Sequence, residues 1–128
     1  MTVKTKNFSL EGDPKLACTC GNEGCDKRVV KQYVLDMAQQ VRSKRGVPMT
    51  VTSGGRCPLH EKEVHRDKPA DHQKCQGIDF RVSNGIERGS IVAEGIAAGF
   101  NAIGVAKTFV HLGHRPNYPK GQIVMWTY

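Results

Sequence analysis

Apolar residues recur at spacings of three and four through residues 27–44, which is the period of one face of an α-helix. Asp26 stands before this stretch as a candidate N-cap, and Gly46 follows it where a helix would end. The pattern predicts an amphipathic helix whose apolar stripe packs on a second layer. The stripe comprises Val30, Tyr33, Val34, Met37, Ala38 and Val41.

Two stretches with a period of two predict strands, at residues 48–52 and 77–82. In the second stretch the apolar side chains share one face, and Asp79 points to the other. Residues 86–100 then predict a second helix, with Ser83, Asn84 and Gly85 before it and Gly99 at its end. Three further strands are predicted at residues 101–106, 108–113 and 122–128.

The strand at residues 108–113 places Val110 and Leu112 on one face and His111 on the other. If the apolar faces rest on the helices, Asp79 and His111 emerge together on the open side of the sheet. The order of elements predicts an α+β fold, with helices packed on one face of a largely antiparallel sheet. We expect one domain over residues 1–128, beginning with a Cys- and Gly-rich loop segment at residues 1–25.

Composition narrows the choice of partners. The chain has 128 residues, 38% of them hydrophobic, and a net charge of +7, which favours a polyanionic partner such as nucleic acid, an anionic membrane or a cell wall bearing acidic polymers. Aromatic residues make up only 6%, which disfavours nucleic acid. No stretch has the apolar length of a membrane span or of a secretory signal, so we expect a soluble chain without a signal peptide.

Three residues on the predicted open side form a candidate metal site: His72, Asp79 and His111. Two imidazoles and one carboxylate leave the fourth tetrahedral position free, as in a catalytic zinc site. Spacing alone leaves another interpretation open, in which these are a loop histidine, a surface carboxylate and a hydrogen-bonded strand histidine.

Four ordered motifs add a family resemblance: TSGGRCPLHEKEVH, DHQKCQGIDFRV, FVHLGHR and MWTY. In order and spacing they resemble the zinc D-Ala-D-Ala carboxypeptidase and phage endolysin family, which is peptidase M15-like and has the Hedgehog/DD-peptidase fold. The resemblance implies that zinc is the cofactor and that His72, Asp79 and His111 are its ligands. It also implies that Arg56 binds a carboxylate or carbonyl of the substrate, a contact suited to a planar guanidinium.

The chain departs from the family pattern around the ligands. Small residues differ between the family and this chain at Ala70, Cys75 and Gly77. The positions where relatives carry a catalytic base or acid hold Thr108, Phe109 and Gly113, none of which accepts a proton at neutral pH. His114 is the nearest residue in sequence with a suitable pKa, so it is the candidate catalytic base; a histidine in a polar turn is an equal alternative.

Five cysteines form an odd set: Cys18, Cys20, Cys25, Cys57 and Cys75. Without a secretory signal we favour reduced thiols over a disulfide framework. The C-x-C-x4-C spacing of the first three is not that of a standard zinc ribbon. A second, structural metal with Cys57 or Cys75 as the fourth ligand, buried thiols, and a disulfide formed after release all stay open.

The leading hypothesis is therefore a zinc metallopeptidase that degrades the bacterial cell wall by cutting peptidoglycan peptides next to D-amino acids, as a carboxypeptidase or endopeptidase. The short chain favours a bacteriophage endolysin, which we expect to be a monomer. We expect it in the host cytoplasm or the virion, and we expect it to act in the periplasm or cell wall after release. We expect no membrane or nucleic-acid partner. The alternative is a zinc-containing binding module of the same fold without catalysis.

His60 and His65 are expected in a solvated loop, and residues 126–128 in a core strand.

Overall fold

A five-stranded sheet with two helices on one face forms the body of the computed structural model, which describes residues 2–128. The strands lie in the order β1-β2-β4-β3-β5; the pairing of β3 with β5 is parallel and the other three are antiparallel. The prediction of an α+β fold with a largely antiparallel sheet is confirmed. The elements are a 3-10 turn at Pro14–Leu16, α1 at Gln32–Arg45, β1 at Val51–Ser53, β2 at Gly77–Arg81, α2 at Gly85–Ala97, β3 at Ala102–Val105, β4 at Phe109–Gly113 and β5 at Val124–Thr127.

The first helix begins five residues later than the apolar period predicts. Residues 28–30 pair instead with the N-terminal segment, where the Cys18 amide donates to the Arg28 carbonyl at 2.9 Å and the Val30 amide donates to the Leu16 carbonyl at 3.1 Å. Val30 is fully buried, so its place in the apolar pattern reflects the core rather than a helical turn. Gly46 ends α1 in the left-handed conformation, as predicted, with φ of 70°.

The core lies between the helices and one face of the sheet. Ile78 and Phe80 of β2 and Val110 and Leu112 of β4 are fully buried there, as their alternation predicts. The second helix starts where Asn84 accepts a hydrogen bond from the Glu87 amide at 2.9 Å. Within residues 2–128, no helix combines the length and the apolar character needed to cross a membrane.

Two glycines after β1 pass directly beneath the N-terminal segment. The Gly55 amide donates to the Leu16 carbonyl at 3.0 Å. A Cβ on Gly54 would lie 2.5 Å from that same carbonyl oxygen, and one on Gly55 would overlap the Arg28 carbonyl. Only glycine allows this close approach. The N-terminal segment therefore fixes the position of the loop that leads into Arg56.

Candidate metal centre and its cavity

Asp79 and His111 lie directly opposite each other on β2 and β4, and His72 joins them from the turn before β2. The Asp79 Oδ1 atom is 2.9 Å from His111 Nδ1 and 3.2 Å from His72 Nε2, and the two imidazole nitrogens are 3.1 Å apart. All three side chains are buried. The strand alternation that sends Ile78 and Leu112 to the helices sends Asp79 and His111 to the opposite face.

Hydrogen bonds on the outer nitrogens determine which ring atoms carry lone pairs. His72 Nδ1 lies 2.7 Å from the Gly54 carbonyl oxygen, which can only accept, so Nδ1 carries the proton and Nε2 is free. His111 Nε2 donates to the Asp71 carboxylate at 2.9 Å, which leaves Nδ1 free. Backbone carbonyls and carboxylates orient metal-binding histidines in this way.

The three inward atoms therefore form a small triangle of two lone pairs and one anionic oxygen. Two lone pairs and an anionic oxygen repel one another at this distance, so the triangle favours a shared cation, either a metal ion or a proton on an imidazole. Tetrahedral zinc, with bonds of about 2.0–2.2 Å, would separate these atoms by about 3.3–3.5 Å, close to the separations found here. His72, Asp79 and His111 thus fit a zinc ion.

Arg56 holds the second oxygen of the Asp79 carboxylate. Its Nη2 atom lies 3.3 Å from Asp79 Oδ2, its Nη1 atom lies 3.2 Å from Glu63, and its Nε atom donates to Ser53 at 2.9 Å. Arg56 is 7% exposed and Glu63 is 2% exposed. This contact leaves Asp79 Oδ1 available to a metal, so Arg56 orients a ligand as well as bordering the cavity.

The charges of the site shift the pKa values of its acids and of one histidine. Burial acts to raise the pKa of Asp71, but hydrogen bonds from His111 and Arg115 outweigh it and lower that pKa to about 2. Burial likewise opposes ionisation of Asp79, yet the imidazoles of His111 and His72, when protonated, hold its pKa well below the usual range. Burial lowers the pKa of His111, but Asp71 and Asp79 raise it on balance. Asp71 and Asp79 therefore stay ionised at neutral pH, and their negative charge favours a cation at this site.

A cavity of about 420 Å³ opens beside His72, Asp79 and His111. Its rim carries the cations Lys62, Arg66 and Arg115, and its wall includes Trp126, whose ring centroid lies 5.3 Å from that of His111.

A family model for peptidase M15 matches residues 6–113 of the chain. The chain belongs to the peptidase M15 family. Peptidases of this family are zinc-dependent metallopeptidases of the cell-wall type, in agreement with the donor set. Searches of curated protein sequences and of solved structures give no significant match.

The M15 family assignment confirms the resemblance of the sequence motifs, but His114 is not beside the metal ligands. Its Nδ1 atom lies 3.1 Å from the Tyr33 hydroxyl, and the two rings meet edge to face with centroids 5.3 Å apart. Tyr33 belongs to α1, on the helical side of the sheet, and His114 borders a different cavity from the one beside His111. Its position does not support the predicted role as the catalytic base.

Two aromatic residues at the C-terminal end lie at the M15 site and not in the core. The sequence predicts a core strand for Trp126 and Tyr128, yet both border the cavity and Tyr128 is 70% exposed. The parallel pairing of β5 with β3 places Trp126 next to Gly104, where a Cβ would lie 2.7 Å from the Tyr128 hydroxyl and 2.9 Å from the indole ring. The sequence alone does not show that β5 pairs with β3.

Asp71 is the site residue that sequence reasoning missed. Its carboxylate fills the space above Gly113, where a Cβ would lie 2.6 Å from Asp71 Oδ2. Arg115 donates to the other oxygen of Asp71 at 3.0 Å. Its position directly before His72 is the only sequence signal. The predicted loop residues His60 and His65 lie outside the set of residues that border the cavity.

Proposed function

We propose that this M15 metallopeptidase hydrolyses peptide bonds next to D-amino acids in peptidoglycan, and that it serves as a phage lysin. The observation that supports the proposal is the convergence of His72 Nε2, Asp79 Oδ1 and His111 Nδ1, with both histidine tautomers set by outer hydrogen bonds. Three ligands and an adjoining cavity leave room for a substrate carbonyl and a water.

Each side chain has a distinct part in this proposal. His72, Asp79 and His111 hold the zinc, which when bound supplies the Lewis acidity that polarises a carbonyl and makes water more acidic. The Gly54 carbonyl and the Asp71 carboxylate keep the two imidazoles oriented. Trp126 packs beside His111 and limits the approach of bulk water on that side.

Basic side chains around the cavity suit a substrate with a free carboxylate. Lys62 and Arg66 border it beside Arg56, while the acids of the site are already paired. Arg56 uses only three of its five N–H groups on Ser53, Glu63 and Asp79, so further donors are available. We assign the substrate carboxylate or carbonyl to Arg56 together with these two cations. The net charge of +7 favours contact with the anionic polymers of the wall.

One observation favours a second candidate, a zinc-containing module that binds wall peptides without cutting them. Among the described residues that border the cavity, the only acid or imidazole beyond the three ligands is Asp71. Hydrogen bonds from His111 and Arg115 occupy that carboxylate and lower its pKa to about 2, which makes it a weak base. General base catalysis typically contributes about 10²–10⁴-fold to a rate.

Product analysis separates the two candidates. Zinc-loaded protein is incubated with purified peptidoglycan and with a stem peptide that ends in D-Ala-D-Ala, and the products are identified by mass spectrometry. We expect release of D-alanine or of shorter stem peptides by the native protein. Asp79→Ala should release neither, while Asp67→Ala, which changes an exposed acid of the nearby loop, should act as the native protein does. Zinc-dependent retention on wall peptides without any product would instead establish the binding module.

A further inference from the structure

Four of the five cysteines meet at one place, away from the cavity of the proposed active site. The sulfur atoms of Cys18, Cys20, Cys25 and Cys57 all lie within 4.8 Å of one another. The Sγ atoms of Cys20 and Cys57 are 3.5 Å apart although 37 residues separate them in sequence. Cys18 and Cys57 are buried, and the other two are half-buried. Cys75 is not part of this cluster.

The spacing of the sulfurs matches a tetrahedral ion. Four thiolates bound to zinc at about 2.3 Å would lie about 3.8 Å from each other, within the limit observed for this cluster. Two disulfides would require two pairs at about 2.0 Å and would draw the cluster apart into separate bonds. A set of four sulfur donors in this arrangement selects zinc or iron over harder cations.

A backbone amide donates to one of the four sulfurs. The Lys27 N–H donates to Cys25 Sγ at 3.3 Å, from two residues after the cysteine. Amide donors of this kind stabilise a thiolate, which is the form of cysteine that binds a metal.

The chain around the cluster is shaped to present these sulfurs. Residues 16–18 pair with residues 28–30 through the Ala17–Val29 bridge, so Cys20 and Cys25 lie in the loop that joins the two paired stretches. Within that loop Gly21 adopts φ of 74° and Lys27 adopts φ of 53°. The Asn22 side chain then donates to the Leu59 carbonyl at 2.9 Å, which joins the loop to the segment that carries Cys57.

We propose that Cys18, Cys20, Cys25 and Cys57 form a second metal site, which binds one structural zinc ion as a tetrathiolate. Four protein ligands fill the coordination sphere, so this site has no position for substrate. Of the possibilities that the sequence left open for the cysteines, the geometry supports a structural metal with Cys57 as the fourth ligand.

The position of Cys57 gives the second zinc a specific task. Cys57 follows Arg56, which holds Asp79, and Gly54 of the same loop accepts from His72. A metal that joins Cys57 to the N-terminal segment therefore fixes the loop that orients two ligands of the first site. The second zinc supports the proposed active site without taking part in its chemistry.

Metal counting tests the proposal independently of peptidase activity. Native mass spectrometry of the full chain, purified with reductant and zinc, should find two zinc ions per chain. Cys25→Ser should bind one, because it loses a cluster ligand, and Asp79→Ala should also bind one, because it loses a ligand of the other site. Cys75→Ser is the matched control and should bind two. A native protein with a single zinc that Cys25→Ser retains would overturn the second site.

Cobalt substitution and thiol titration provide readouts that can be taken on the native protein and do not depend on peptidase activity. The cobalt form of native protein and of Asp79→Ala should both show intense thiolate-to-cobalt charge-transfer absorption in the near ultraviolet. A mercurial reagent should consume four thiols of Cys75→Ser, which keeps only the cluster cysteines, and release one zinc per chain into a colorimetric indicator. Release of no zinc by the mercurial, a mass corresponding to disulfides under reducing purification, or iron as the bound metal would each refute the assignment.

Discussion

The Asp71 carboxylate lies 2.9 Å from Nε2 of His111, and this contact decides which nitrogen of His111 faces the metal centre. Asp71 is itself held by Arg115 at 3.0 Å. The chain thus places a carboxylate, a histidine and a metal position in line, an arrangement that raises the basicity of the ligand and prevents the ring from turning.

Asp71→Asn should weaken zinc binding at the first site by about 10–100-fold, because the amide lacks the charge that orients and polarises His111. Competition with a chromophoric chelator measures the dissociation constant. Asp67→Asn removes an exposed carboxylate from the same loop and is the control, for which no change is expected. Equal zinc affinity in the two variants would show that Asp71 does not orient the ligand.

Gly113→Ala should produce the same defect as Asp71→Asn by a steric route. The new Cβ would lie 2.6 Å from Asp71 Oδ2 and 2.9 Å from His111 Nε2, so the carboxylate must move away from the ring. Gly89→Ala is the matched control, because Gly89 lies inside α2 with nothing within 4 Å. That control should gain about 0.5–1 kcal/mol of stability from helix propensity. Thermal unfolding and zinc affinity, measured on both variants, check these expectations.

Arg56→Gln should lower the free energy of unfolding by about 3 kcal/mol, because Glu63 is buried and would lose a paired charge. Arg66 still pairs with Glu63 from the surface, so the loss should stay at the low end for a broken buried pair. The double variant Arg56→Gln/Glu63→Gln should recover part of this loss. Urea unfolding of the native protein, these two variants and Glu63→Gln measures the coupling, and additive effects would contradict the pairing.

At saturating zinc, which compensates for weaker orientation of Asp79, the same Arg56→Gln protein should process wall peptides about tenfold to a hundredfold less well. A lost charge-assisted hydrogen bond costs about 1.5–3 kcal/mol in transition-state binding. Steady-state kinetics on the D-Ala-D-Ala peptide, with zinc content measured on the same samples, separates this effect from metal loss. Native kinetics in Arg56→Gln would remove Arg56 from the substrate site.

His114→Ala should retain both zinc content and activity, since His114 faces Tyr33 on the helical side of the sheet. The expected cost is a small loss of thermal stability from the Tyr33 contact. His111→Ala, three residues earlier, should lose metal at the first site. A large drop in turnover for His114→Ala with full zinc occupancy would restore His114 as the catalytic base.

The alternation of apolar residues predicts β2 and β4 well, because the apolar residues that recur with a period of two are the ones buried against the helices. Ile78, Phe80, Val110 and Leu112 face the helices, so their alternation alone is enough to assign Asp79 and His111 to the other face. The start of α1 could not be predicted from the apolar period, because Val30 is buried through pairing with residue 16 and not through a helical turn.

Contacts between distant segments explain what sequence reasoning missed at the site. The carbonyl of Gly54 has no side chain to mark it, yet it sets the tautomer of His72. Trp126 reaches His111 because β5 pairs in parallel with β3, and strand order cannot be read from a short aromatic stretch. The cysteine cluster depends in the same way on Cys57, 32 residues after Cys25, reaching the N-terminal loop.

The cross-strand pair of Asp79 and His111 also affects how the sheet holds together. These residues occupy β2 and β4, and β4 is the middle strand of the five. A metal bound by both residues would cross-link β2 to β4 at the centre of the sheet. Metal depletion removes this link between β2 and β4, so it should lower the stability of the central strands together and not that of one edge strand alone.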